Sequence, residues 1–194
     1  MAGNGRYTTL LLFEAFEKAL MQFMREDEQV LSWPRAKASV AHSLASQLQR
    51  SLRSVLGLSE DNASPGFFSL PGDVKVDILI KGCDILVHDR KGKHLLGIVL
   101  GYDYLSRPQQ EHLHQLKEQG FKLVLGVSFL MQKEYVLLYS PKQESLEYYH
   151  FNKQDGTTHH LMQRDVESET DDGQLSLGIK ERKTRKKPAP TQDQ

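Results

Sequence analysis

Three short β-type runs follow one another between residues 74 and 102, with only Lys81-Gly82 and Lys91-Gly92 to separate them. No other feature constrains the fold so closely. Residues 74–80, 85–88 and 95–102 are rich in Val, Ile and Leu. A glycine in each intervening pair supplies the left-handed backbone that a tight hairpin turn requires, so the spacing predicts an antiparallel meander. Upstream, Leu11, Leu12, Ala15, Phe16, Ala19, Leu20 and Phe23 recur at helical spacing over residues 7–24, with Thr8 or Thr9 as the cap. A second helix is expected from a first turn at Pro34 to Leu56, stopped by Gly57. Residues 25–32 read as a charged loop and residues 61–72 as a Pro/Gly-rich one.

Downstream, Pro108 precedes a polar helix over residues 109–119, closed by Gly120. Residues 121–129 are continuously apolar, the pattern of a strand covered on both faces. Residues 134–139 and 145–151 form a last hairpin around Pro141-Lys142. The expected order is α-α-βββ-α-ββ, a mixed sheet flanked by helices, in the α/β (α+β) class. One domain over residues 1–152 accounts for the pattern, and residues 153–194 read as a largely disordered tail.

Lysine and arginine number 25, as do aspartate and glutamate, so the formal net charge is zero and any attraction for nucleic acid must be local. The tail separates its charges. Asp165, Glu167, Glu169, Asp171 and Asp172 come first, then Lys180, Arg182, Lys183, Arg185, Lys186 and Lys187. That basic run is either a solubilising tail or a source of non-specific phosphate contacts. The single cysteine, Cys83, excludes an internal disulfide and suits a reducing cytoplasm. No run approaches the ~20 apolar residues of a membrane span. The first residues also lack the apolar core of a signal peptide. A cytoplasmic protein without membrane contact is expected.

His112 and His114 point apart on a helix, and His159-His160 falls in the expected tail, so neither pair has metal-ligand context. His42 and His88 read as structural. No Ser/His/Asp arrangement and no phosphate-binding glycine loop is present.

The run Val76-Asp77-Ile78-Leu79-Ile80-Lys81-Gly82-Cys83-Asp84-Ile85-Leu86-Val87-His88, with Leu95-Leu96-Gly97-Ile98-Val99-Leu100-Gly101-Tyr102-Asp103 after it, resembles the core of the PD-(D/E)xK nucleases. Within this restriction-endonuclease-like superfamily it looks in particular like a bacterial group whose second strand reads roughly Pro-Asp-Ile-Ile-Val-His and whose third reads roughly Leu-Leu-Val-Ile-Glu-x-Lys. The resemblance implies a restriction-endonuclease-like mixed sheet. It also implies a chemistry in which two carboxylates hold Mg or Mn, the metal activates water, and a lysine steadies the charge on the phosphorus.

By that resemblance Asp84 stands at the first carboxylate, with Cys83 in place of the family's proline. Val99 stands at the second carboxylate and Gly101 at the lysine. The acid that such proteins often carry on the preceding helix would fall near Lys37 and Ala38, where there is none. Strand alternation puts Asp77, Leu79, Asp84, Leu86 and His88 on one face and lets Asp84 share a pocket with Val99.

Three functions fit. The first is a catalytically degenerate nuclease-like module that binds DNA or RNA or a protein partner, a second copy included, and takes no cofactor. The second is an active Mg- or Mn-dependent nuclease with a relocated site, Asp84 as metal ligand and Asp77 and Asp103 as the other acids. In that case Glu111 reaches inward and Lys93 or Lys117 replaces the lysine. The third is an assembly protein without nucleic-acid contact. The missing second carboxylate and lysine weigh against an enzyme.

Overall fold

A computed structural model describes residues 6–58, 70–71, 74–143 and 145–161. In chain order the elements are α1 (Thr9–Glu26), a 3-10 helix (Glu28–Ser32), α2 (Lys37–Val55), β1 (Lys75–Ile80), β2 (Cys83–His88), β3 (His94–Gly101), α3 (Arg107–Glu118), β4 (Leu123–Phe129), β5 (Tyr135–Lys142), β6 (Ser145–Asn152) and β7 (Thr158–Leu161). The strands form one mixed seven-stranded sheet in the order β1-β2-β3-β4-β5-β6-β7. β3 and β4 are parallel and the other neighbours antiparallel. The parallel pair is the one that α3 connects, as a parallel pair requires a crossover.

The helices cover both faces. On one side α1 and α2 bring Phe16, Phe23, Leu44 and Leu48 into a core with Ile85, Val87, Ile98, Leu125, Val127 and Leu138 of the sheet. On the other, Leu113 and Leu116 of α3 share a smaller core with Leu86, Val99, Val124, Leu137 and Tyr139. Each of these fully buried large side chains stabilises the fold by about 1.5–3 kcal/mol relative to exposure. β4 is buried along its whole length, as its unbroken apolar run predicts.

The helix ends follow local chemistry. The Thr8 hydroxyl accepts from the Leu11 N–H at 3.1 Å and caps α1. Gln109 Oε1 accepts from the Ser106 N–H at 2.9 Å and starts α3. α2 ends where Gly57 takes φ +68°.

Three expectations need correction. α2 begins at Lys37, not at Pro34, because Arg35 has φ 58° and a right-handed helix cannot include it. Residues 25–32 are not a plain loop: α1 runs on to Glu26, and the 3-10 helix buries Val30 and Leu31. The sheet does not end near residue 152, since Thr158–Leu161 adds a seventh strand against β6, with His160 edge-on to Tyr149 at 5.2 Å. The order is thus α-α-βββ-α-βββ with the 3-10 helix between the first two helices. The charged segments at 165–172 and 180–187 lie outside the described residues. Among the described residues no helix is long and apolar enough to cross a membrane.

Candidate functional site around Asp84

The β1–β2 ladder runs regularly from Lys75↔His88 to Ile78↔Ile85, then resumes at Ile80↔Cys83. It skips Leu79 and Asp84. Leu79 has φ 54°, and Lys81 (φ 53°) and Gly82 (φ 74°) make the turn. A left-handed leucine costs about 1–2 kcal/mol and marks an irregular strand. Strict alternation fails at the same place, since Cys83 and Leu86, an odd number of residues apart, both lie in the core under α3. His112 donates from Nε2 to the Gly82 carbonyl at 2.8 Å and ties the hairpin tip to α3.

The irregularity frees Asp84 from the β2–β3 ladder, which begins at Ile85↔Ile98. Its carboxylate supplies the acceptor that the ladder lacks. Asp84 Oδ2 accepts from the Leu100 N–H at 2.7 Å. The same oxygen is 3.0 Å from Nζ of Lys37, at the start of α2. The Asp84 residue is 8% exposed, whereas the lysine side chain is about half exposed and enters from the surface. Tyr102 completes the surroundings. Its hydroxyl is buried without a hydrogen-bond partner among the described residues. Burial, and then the Asp84 charge beside it, push the Tyr102 phenol above its usual range.

The other expected site residues go elsewhere. Val99 packs in the core under α3, away from the partners of the Asp84 carboxylate. The alternation-based expectation that Asp84 and Val99 share a pocket is corrected by the irregular backbone at Leu79, where the ladder loses one pair without changing register. Gly101 is crowded: a Cβ there would meet Leu105 Cδ2 at 2.8 Å and the Asp103 carbonyl at 3.1 Å, so both neighbours would have to shift.

Asp77 bonds Lys75 Nζ at 2.6 Å and His88 Nε2 at 2.9 Å. Burial raises the Asp77 pKa, but the hydrogen bonds from Lys75 and His88 outweigh it and hold the carboxyl below the usual range. Asp103 is exposed, and its carboxylate accepts from the adjacent Tyr104 N–H at 2.8 Å. Glu111 pairs with Arg107 at 3.1 Å on the outside of α3. Lys93 is exposed, and Lys117 donates to the Lys122 carbonyl at 3.1 Å. His42 is exposed on α2. Among the described residues no group of three or more His, Cys, Asp or Glu side chains is placed to hold a metal ion. The cations at Lys180, Arg182, Lys183, Arg185, Lys186 and Lys187 lie outside the described residues.

Sequence reasoning missed Lys37 and Tyr102. Position 37 drew attention for the acid it lacks, but the residue that stands there carries the opposite charge to Asp84. Alternation put Tyr102 in the row of Leu100, with no sign that its hydroxyl approaches Asp84. Comparison with known proteins adds nothing to this site: no protein-family model, curated protein or solved structure matches the chain.

Proposed function

We propose that the chain is a PD-(D/E)xK-like domain that no longer hydrolyses phosphodiesters and acts as a nucleic-acid-binding module. The observation that carries the loss of cutting is the Lys37–Asp84 pair. A nuclease of this type needs Asp84 free to hold a divalent cation together with a second carboxylate. Here one Asp84 oxygen is shared between an ammonium and the Leu100 N–H. Val99 and Gly101 stand where the resemblance calls for the second carboxylate and the lysine. A single carboxylate with a cation already beside it is a poor ligand for Mg²⁺ or Mn²⁺.

The test is incubation of the purified chain with single- and double-stranded DNA and RNA in Mg²⁺ and in Mn²⁺, beside Asp84→Ala. No cleavage by either protein, with retention of labelled DNA or RNA by the parent in a gel-shift assay, is the expected result. Cleavage that disappears in Asp84→Ala would overturn the proposal in favour of a rearranged metal-dependent nuclease. Neither cleavage nor retention would favour an assembly role.

A further inference from the structure

The β2–β3 connection, Asp89-Arg90-Lys91-Gly92-Lys93, has a more elaborate geometry than a solvated charge run needs. Asp89 is only 4% exposed. Its Oδ1 accepts from the N–H groups of both Lys91 and Lys93 at 2.9 Å, and its own N–H bonds the Lys93 carbonyl at 3.1 Å. Arg90 at φ 59° and Gly92 at φ 102° complete a closed loop. Asp89 Oδ1 is thus engaged within the loop, and Arg90, Lys91 and Lys93 are exposed.

Two neighbouring segments bring further cations to the same end of the sheet. Lys81, on the folded-over β1–β2 tip, places Nζ 2.9 Å from Nε2 of His94, the residue that follows the loop. An ammonium only donates, so the imidazole accepts and is neutral. At the α3–β4 junction, Lys122 bonds the His94 carbonyl through its N–H at 3.2 Å. Lys117 reaches the Lys122 carbonyl. Across the loop, the junction and Lys81, six lysines and arginines face two acids, Asp89, which is buried, and Glu118. The Lys122 ammonium is bonded to the Tyr7 carbonyl, so the loop cations are the more available ones, and the excess of positive charge at this end of the sheet attracts a polyanion.

We infer that this basic end of the sheet, formed by Arg90, Lys91 and Lys93 with Lys81, Lys117 and Lys122, is a contact surface for the sugar-phosphate backbone of nucleic acid. The inference rests on the nucleic-acid-binding proposal and gives it a location. Asp84 and His88 are four residues apart on β2, about 13 Å of strand, so the loop part of the contact lies at the other end of β2 from the Lys37–Asp84 pair, and Lys81 reaches towards it from the β1–β2 tip. The surface consists of flexible lysine and arginine side chains on two turns, the last turn of α3 and the residue before β4, so binding is expected to be indifferent to sequence and steeply salt-dependent.

The experiment measures fluorescence-anisotropy binding of the full chain to a labelled 20-mer, as duplex and as single strand, from about 50 to 200 mM salt. The variants are Arg90→Ala/Lys91→Ala/Lys93→Ala and, separately, a chain with all six bases between Lys180 and Lys187 changed to Gln. Phosphatidylserine vesicles serve as a second polyanion. Circular dichroism confirms that each variant is folded.

The expected result is a loss of affinity of about tenfold or more in the loop variant, with a salt slope shallower by about 2–3. Parental affinity and slope in a folded loop variant, with binding lost in the tail variant, would overturn the inference and leave nucleic-acid binding standing. Equal binding of vesicles and DNA would overturn it in favour of a general anionic-surface contact. Failure of the parent to bind DNA at low salt would remove both proposals together.

Discussion

The ammonium of Lys37 lies 3.0 Å from the carboxylate of Asp84 and joins the first turn of α2 to the one β2 residue that the strand ladders leave out. The two ends of this contact are unequal, since Asp84 is nearly buried and Lys37 half in solvent.

That inequality ranks three substitutions. Lys37→Met removes a half-exposed partner and is expected to cost about 1 kcal/mol. Asp84→Asn keeps an oxygen for the Leu100 N–H and loses the charge. Asp84→Ala strands that buried N–H as well and is expected to cost most, about 2–3 kcal/mol. Urea unfolding followed by circular dichroism measures all three. Equal midpoints would mean that the pair does not hold the sheet end together.

Installing the side chains that the resemblance calls for should not create a site. Val99→Glu puts a carboxylate into the core under α3, and Gly101→Lys drives a side chain into Leu105 and the Asp103 carbonyl. The double variant is expected to lose several kcal/mol of stability. No cleavage of DNA with Mn²⁺ should appear. A folded double variant that cut DNA would show that the Tyr102–Leu105 segment can move aside.

Cys83 should be a slow thiol. Burial, and then the neighbouring Asp84 charge, push it up to about 11. Iodoacetamide at pH 8 is expected to alkylate the native chain far more slowly than the chain in urea, because the thiolate is the reactive form. Equal rates in both conditions would mean that β2 opens readily at its start.

The folded state should weaken in alkali. Burial, partly offset by Arg6, pushes Tyr7 up to about 12, and its hydroxyl donates to the Pro71 carbonyl at 2.9 Å. Because the folded pKa lies above the unfolded value near 10, the contribution is complete below about pH 10 and is lost as pH rises through about 12. Tyr149 acts in the same direction. Tyr7→Phe should cost about 1 kcal/mol at pH 7 and flatten the decline between pH 10 and 11, read from urea midpoints across that range.

The residues legible in sequence were those whose structure is decided locally. Lys81-Gly82 and Lys91-Gly92 fix two turns, and the continuous apolar run of β4 reports burial on both faces. β7 was not legible, because Thr158-His159-His160-Leu161 offers one aliphatic residue and is held by its ladder to β6. Asp84 was legible as a position, but its partner was not. The partner depends on the irregular backbone at Leu79, and nothing in the intrinsic preference of leucine announces a left-handed conformation. The same irregularity breaks the strict alternation on which the face assignments rest.

Strand order follows chain order throughout the sheet, so each new strand of a growing chain meets the edge left by the previous one. Only the step from β3 to β4 must wait for a helix to be made. During synthesis the sheet is therefore expected to assemble in sequence from its β1 side, with a single pause point at α3, and each intermediate exposes one fresh edge. In that order the last strand added, β7, is the first that a ribosome-tethered or truncated chain would lack.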